Sequence, residues 1–168
     1  EITSFETPND FADNFGSRVH GWLNPVTSGD YTFWIATDDE SELWLSTDEK
    51  PASAVMISRV TDYAPALAFD DPDVIPSDPI TLEGGKAYYI SGIYKEGGGG
   101  DNLAVAWQGP DSPDRMVISG YYLTPFVALW ADAPDPADGA TIEQTFALLQ
   151  WTPGVTAASH DVYISDNM

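Results

Sequence analysis

Two adjacent carboxylates, Asp38 and Asp39, close an aromatic-rich run, Tyr31-Thr-Phe-Trp-Ile-Ala-Thr-Asp-Asp39. Like charges this close repel each other unless something positive sits between them. Further along comes a glycine run that ends in an acid and an amide, Gly97-Gly-Gly-Gly-Asp-Asn102. Calcium takes about six to eight hard oxygen ligands, and carboxylates with backbone carbonyls suit it. Glycines that carry no side chain let those carbonyls approach a metal. The chemistry these residue types point to is a calcium site at a loop tip, serving a ligand-binding surface rather than a catalytic pocket. The plainer alternatives are a solvated acidic turn for the aspartate pair and a flexible hairpin for Gly97, Gly98, Gly99 and Gly100.

Other chemistries fit less well. The glycine run lacks the GK[ST] continuation of a phosphate-binding loop. Asp132, Asp135 and Asp138 fall three apart with prolines between them, whereas an EF-hand loop needs acids at alternate positions. Asp70-Asp71-Pro72-Asp73 reads as a solvated loop rather than a second cation site. His20 and His160 stand alone, with no second histidine at zinc-ligand spacing. Acids abound, but there is no GxSxG, no HExxH and no cysteine, so the expectation is a protein that is not an enzyme.

Charge narrows the partners. The chain has 168 residues with 27 acidic and 6 basic side chains, a formal net charge of -21. The cations Arg18, Lys50, Arg59, Lys86, Lys95 and Arg115 are scattered, so a nucleic-acid backbone would be repelled. Anionic membrane surfaces are disfavoured for the same reason. No run approaches the roughly 18 apolar residues of a membrane-spanning helix, so membrane insertion is not expected. Such acidity is tolerated where salt or divalent cations screen it, which fits an extracellular or cell-surface setting. The chain begins with Glu1 rather than Met and is expected to be a mature product or part of something longer.

The elements that must position the acids are strands. Helical periodicity is nearly absent, and short β-branched and aromatic runs alternate with Gly, Pro, Asp, Asn and Ser clusters. The pattern predicts strands at Arg18–Leu23, Asp30–Thr37, Glu42–Ser46, Ala54–Val60, Ile80–Leu82, Lys86–Tyr94 and Leu103–Gln108. Many short strands with frequent turns give an all-β antiparallel sandwich. Trp34, Trp44, Trp107, Tyr88, Tyr89 and Tyr94 lie in mid-strand and are expected to pack a core rather than stack on a sugar; Trp22, Tyr63, Tyr121 and Tyr122 are the better candidates for exposure. The long Pro- and Asp-rich loop from Thr61 to Asp78 is expected to be functional or mobile. Residues 1–126 read as one domain and 127–140 as a linker. Residues 141–168 read as a partial immunoglobulin- or fibronectin-like β segment with strands at Thr145–Trp151 and Ser159–Ser165. That segment falls well short of the roughly 100 residues such a sandwich needs.

Residues from about Phe5 to Phe126 resemble a PA14 domain. The carrying residues are Gly29-Asp-Tyr-Thr-Phe-Trp-Ile-Ala-Thr-Asp-Asp39, Leu43-Trp-Leu-Ser46, Gly85-Lys-Ala-Tyr-Tyr-Ile90 and Tyr94-Lys-Glu-Gly-Gly-Gly-Gly-Asp-Asn-Leu-Ala-Val-Ala-Trp107. The tail is similar to the first strands of a fibronectin-III-like module. The PA14 resemblance implies a β-sandwich lectin in which Asp38 and Asp39 form a vicinal pair, often joined by a cis peptide. Its second calcium loop corresponds to Gly97 through Asn102, offering the Asn102 side chain, Asp101 and backbone carbonyls. Two sugar hydroxyls then complete the calcium shell, which makes the chain a calcium-dependent glycan- or polysaccharide-binding module of a bacterial surface protein, with a possible adhesive role. The alternative is an assembly module, in which the tail pairs with a neighbouring subunit of a homo-oligomeric fibre.

Overall fold

Alternation of apolar and polar residues along each run lets one face of a strand enter a core while the other meets solvent. The computed structural model describes residues 3–125, and beyond them only the backbone of Asp132–Asp135 and Gln150–Thr152. The described strands are β1 (Phe15–Leu23), β2 (Gly29–Asp38), β3 (Ser41–Leu45), β4 (Val55–Val60), β5 (Val74–Ile75), β6 (Ile80–Leu82), β7 (Tyr88–Glu96), β8 (Asn102–Gly109), β9 (Ser112–Val117), β10 (Leu123–Pro125), β11 (Asp132–Asp135) and β12 (Gln150–Thr152). One sheet runs β10-β1-β7-β3-β4-β5 and the other β6-β2-β8-β9, with every pairing antiparallel. The all-β sandwich expected from the sequence is what the chain forms.

The core lies between these two sheets. In β2 the buried Tyr31, Phe33 and Ile35 alternate with half-buried Thr32 and Trp34. Tyr31 stacks on Trp107 with ring centroids 4.9 Å apart, and Tyr122 meets the same indole edge-on at 4.8 Å. Trp107, Tyr88, Tyr89 and Tyr94 are buried, as their mid-strand positions require. Trp34 and Trp44 are only half-buried. Trp34 is instead covered by the Arg115 guanidinium, 5.2 Å from its ring.

The seven strands predicted between Arg18 and Gln108 all form, with ends shifted by a few residues. The three that the pattern missed in the first unit, β5, β9 and β10, are edge or sheet-end strands. Each is short, or carries a proline that would cost a ladder hydrogen bond at a central position.

The chain divides into two compact units, Glu1–Phe126 and Val127–Met168. In the second unit, β11 pairs antiparallel with β12, so a strand stands within the stretch read as a linker. The remainder of the expected fibronectin-like segment, including Ser159–Ser165, lies outside the described residues.

Candidate functional site

Sheet register brings the two acidic motifs together. Asp38, the last residue of β2, is the direct antiparallel partner of Asn102, the first residue of β8. β7 ends beside them at Glu96, and the glycine run bridges β7 to β8. The Asp38–Asp39 peptide bond is cis, the feature the family resemblance implies. Asp39 is held on both sides of the peptide: its N–H donates to the Lys95 carbonyl at 3.2 Å and its own carbonyl accepts from the Thr37 hydroxyl at 2.7 Å. Its Oδ2 accepts the Gly97 N–H at 2.8 Å.

Glycines at the two ends of the run leave room for different carboxylates. A Cβ on Gly97 would come within 3.0 Å of Asp39 Oδ2, and one on Gly100 within 3.2 Å of Asp10 Oδ1 and 3.7 Å of Asp38 Oδ2. Gly99 has φ +124, a conformation that side chains rarely adopt. Gly98 faces open space.

The loop at Asp10–Asn14 supplies a second wall. Asp101 Oδ2 accepts the N–H groups of Phe11 and Ala12 at 2.5 and 2.8 Å. Asn14 N–H donates to the Gly97 carbonyl at 3.1 Å, and Gly99 N–H reaches Asp13 Oδ1 at 3.3 Å. A third wall comes from the long loop after β4. Ala64 is buried, its N–H donates to the Thr37 carbonyl at 2.7 Å, and its carbonyl accepts from Asn102 Nδ2 at 3.3 Å. The loop from Thr61 to Asp78 therefore braces the site.

The decisive feature is what remains unpartnered. Among the described residues, the buried side-chain polar atoms without a hydrogen bond are Ser91 Oγ, both oxygens of Glu96, Asp101 Oδ1 and Asn102 Oδ1. All but the first belong to this site, and all of those are acceptor oxygens: carboxylate oxygens, which cannot donate when ionised, and the Asn102 amide carbonyl. Burying them unpaired is costly. Asp38, Asp39 and Glu96 each place a carboxylate oxygen within 4.8 Å of the others. Burial raises the pKa of Asp38, reinforced by the charge of Asp39 and then of Asp101 and Asp10. Glu96 is raised by burial first and by Asp39 and Asp38 next. Lys95 does not neutralise the group, because its Nζ pairs with Glu40 at 2.7 Å. A hard cation is the partner that this donor set fits.

The sequence motifs named Asp38, Asp39, Asp101, Asn102 and the glycines, and the fold gathers them at one end of the sandwich. Glu96, Asp10 and Asp13 were not singled out. Glu96 turns inward through the alternation Tyr94-Lys95-Glu96, buried-exposed-buried, which the folded strand reveals. The other acidic run is spoken for: Asp70 forms a two-point contact with Arg115, Asp71 accepts the Asp73 N–H, and Asp73 accepts the Thr61 hydroxyl.

Residues 3–120 match the PA14 domain family, so the chain belongs to it. It is 33% identical over 100 residues to the mouse protein named N-acetyl-beta-glucosaminyl-glycoprotein 4-beta-N-acetylgalactosaminyltransferase 1, covering 56% of this chain and 10% of that one. Among solved structures, the Epithelial Adhesin 6 A domain from Candida glabrata in complex with Galb1-3GlcNAc aligns with a TM-score of 0.53 at 15% identity, covering 68% of this chain and 52% of that one. An anti-sigma factor domain-containing protein from Clostridium clariflavum aligns with a TM-score of 0.51 at 20% identity, covering 66% and 33%. The chain thus spans a tenth of the mouse relative and a third to about half of these solved chains. The mouse relative corrects the expectation of a non-enzyme. A domain of this sequence type occurs inside a protein named as a glycosyltransferase, so the lack of nucleophile motifs here says nothing against an enzymatic parent. Among the described residues, no helix is long and apolar enough to cross a membrane.

Proposed function

We propose that the chain is a calcium-dependent carbohydrate-binding module of a protein working at or outside a cell surface. The observation that carries this reading is the set of buried, unpartnered oxygens gathered around Asp38 and Asp39. The residues that would hold the ion are Asp38, Asp39, Asn102 through Oδ1 and Asp101 through Oδ1. Gly97, Gly98, Gly99 and Gly100 leave the outer side of the site free of side chains, so a ligand can approach. When bound, calcium supplies open coordination positions that two hydroxyls of a sugar can fill. The surrounding acids Asp10 and Asp13 and the chain's net charge of -21 favour neutral sugars over uronates or sialosides.

Fold similarity to a glycan-bound adhesin domain and family kinship with a glycosyltransferase support a role alongside glycans in either kind of parent. The same site would serve an adhesin by holding a surface glycan and an enzyme by delivering it to a glycan-bearing substrate.

Calorimetric titration with neutral monosaccharides and disaccharides tests the reading. Heat of binding is expected in calcium and not in EDTA, and Asp38→Ala/Asp39→Ala should lose both calcium and sugar. Sugar binding that persists in EDTA, or survives the double substitution, would overturn it.

A further inference from the structure

Glu96 is the most deeply committed acid of this end of the sandwich. It is 2% exposed, it closes β7, and neither of its carboxylate oxygens has a hydrogen-bond partner. Its antiparallel neighbour on β1 is Phe15, which offers it no charge. Lys95, next in sequence, points to the opposite face and is paired with Glu40. A carboxylate buried in this way is strongly disfavoured unless a counter-charge reaches it. Fold packing alone gives no reason to put glutamate here, since an apolar side chain would fill the same space without that cost.

We propose that Glu96 is a further ligand of the cation held at Asp38 and Asp39, reaching it from beneath the glycine run. The inference rests on the calcium reading of that site and adds to it. The carboxylates of Asp38, Asp39 and Glu96 approach within 4.8 Å of one another, a separation that one ion can bridge. With Asp101, the ligand set then carries four side-chain negative charges rather than three. It also has an inner side, made by Glu96 and Asn102 Oδ1, that is closed to solvent, and an outer side that is open. Ligand charge count and rigidity set calcium affinity in such sites, so Glu96 would govern how tightly the ion is held while the outer side governs which sugar enters.

The competing account makes Glu96 a neutral carboxylic acid that donates one hydrogen bond to an aspartate. Glutamine mimics that neutral donor in size and polarity, so Glu96→Gln separates the two. Calcium alone is titrated calorimetrically into the wild type, Glu96→Gln and Asp38→Asn at neutral pH, and each is melted in EDTA and in calcium. Expected is calcium affinity at least tenfold weaker in Glu96→Gln, with a melting temperature in EDTA no lower than that of the wild type. A loss of affinity below tenfold, with Asp38→Asn still abolishing binding, overturns the role of Glu96 and leaves the calcium site standing. A lower melting point for Glu96→Gln in EDTA makes the residue structural and also overturns it. Failure of the wild type to bind calcium removes both readings together.

Discussion

The two ends of β8 hold aspartates in opposite conditions. At its far end, in the turn before β9, Asp111 Oδ2 accepts the N–H groups of Val26 and Thr27 at 2.6 and 3.2 Å. Those bonds outweigh the effect of burial and leave its pKa below the ordinary value. At the near end, roughly 25 Å away along the strand, Asp38 and Glu96 are pushed up, and buried oxygens go without donors. Both ends carry acids, and only the far one, Asp111, is finished by the protein's own hydrogen bonds. An acid that the chain itself satisfies is a structural device, whereas one left unsatisfied in a buried place implies a partner from outside.

The comparison breaks most easily through calcium. At a concentration about 100 times the dissociation constant, the ion should stabilise the wild type by about 2.7 kcal/mol, seen as a rise in melting temperature over EDTA. Asp38→Ala/Asp39→Ala should lose that rise. Asp111→Ala should keep it in full while melting lower in both conditions. A calcium-induced rise that depends on Asp111, or survives without the aspartate pair, would erase the distinction between the ends.

Glycines sharpen the same contrast. A Cβ on Gly109 would stand 2.4 Å from the ring of Tyr31, which is fully buried and stacked on Trp107. That ring has no room to yield, so Gly109→Ala should cost about 1–3 kcal/mol of stability with calcium affinity unchanged. At the near end, Gly97→Ala pushes only against the tip of Asp39. Its expected effect is about tenfold weaker calcium binding, or about 1.4 kcal/mol, with little change in the melting temperature in EDTA. Gly98→Ala meets nothing and should alter neither. Denaturation curves and calcium titrations on the three variants check this order.

How much of this was legible in the sequence follows from what each feature depends on. Strands at the centre of a sheet must bury side chains, so β2, β7 and β8 announce themselves through aromatic and β-branched residues. Edge strands answer to fewer neighbours. β9 reads Ser-Pro-Asp-Arg-Met-Val and passes for a loop, and β5 is two residues long. The near-end site was visible as two local motifs because paired aspartates and a glycine run are unusual in themselves. Glu96 was not, since a single glutamate at the end of a strand looks like any solvated acid until the strand's inward face is known. Asp10 and Asp13 lay further out of reach. Their loop meets the glycine run through contacts such as Phe11 to Asp101, residues 90 apart in the chain. Asp111 was overlooked for the same reason: its partners Val26 and Thr27 sit in a separate turn.

Acid titration gives the smallest difference between the ends, and it concerns the satisfied one. The folded-state pKa of Asp111 lies below its ordinary value of 3.8, so its contribution to stability is present above that value and is lost as pH falls through the folded pKa. Asp111→Asn carries no charge to lose. In EDTA, the wild type should be more stable than Asp111→Asn by about 1 kcal/mol near pH 5, the worth of charge-assisted bonds at a partly exposed position. That gap should narrow as pH falls through the folded pKa of Asp111, where the wild-type carboxyl becomes protonated and behaves like the amide. Urea denaturation of both proteins across this range measures it. A gap that stays constant would mean that shape and packing, rather than the ionised carboxylate, hold the turn at Val26 and Thr27, and that the far end owes its stability to something other than satisfied charge.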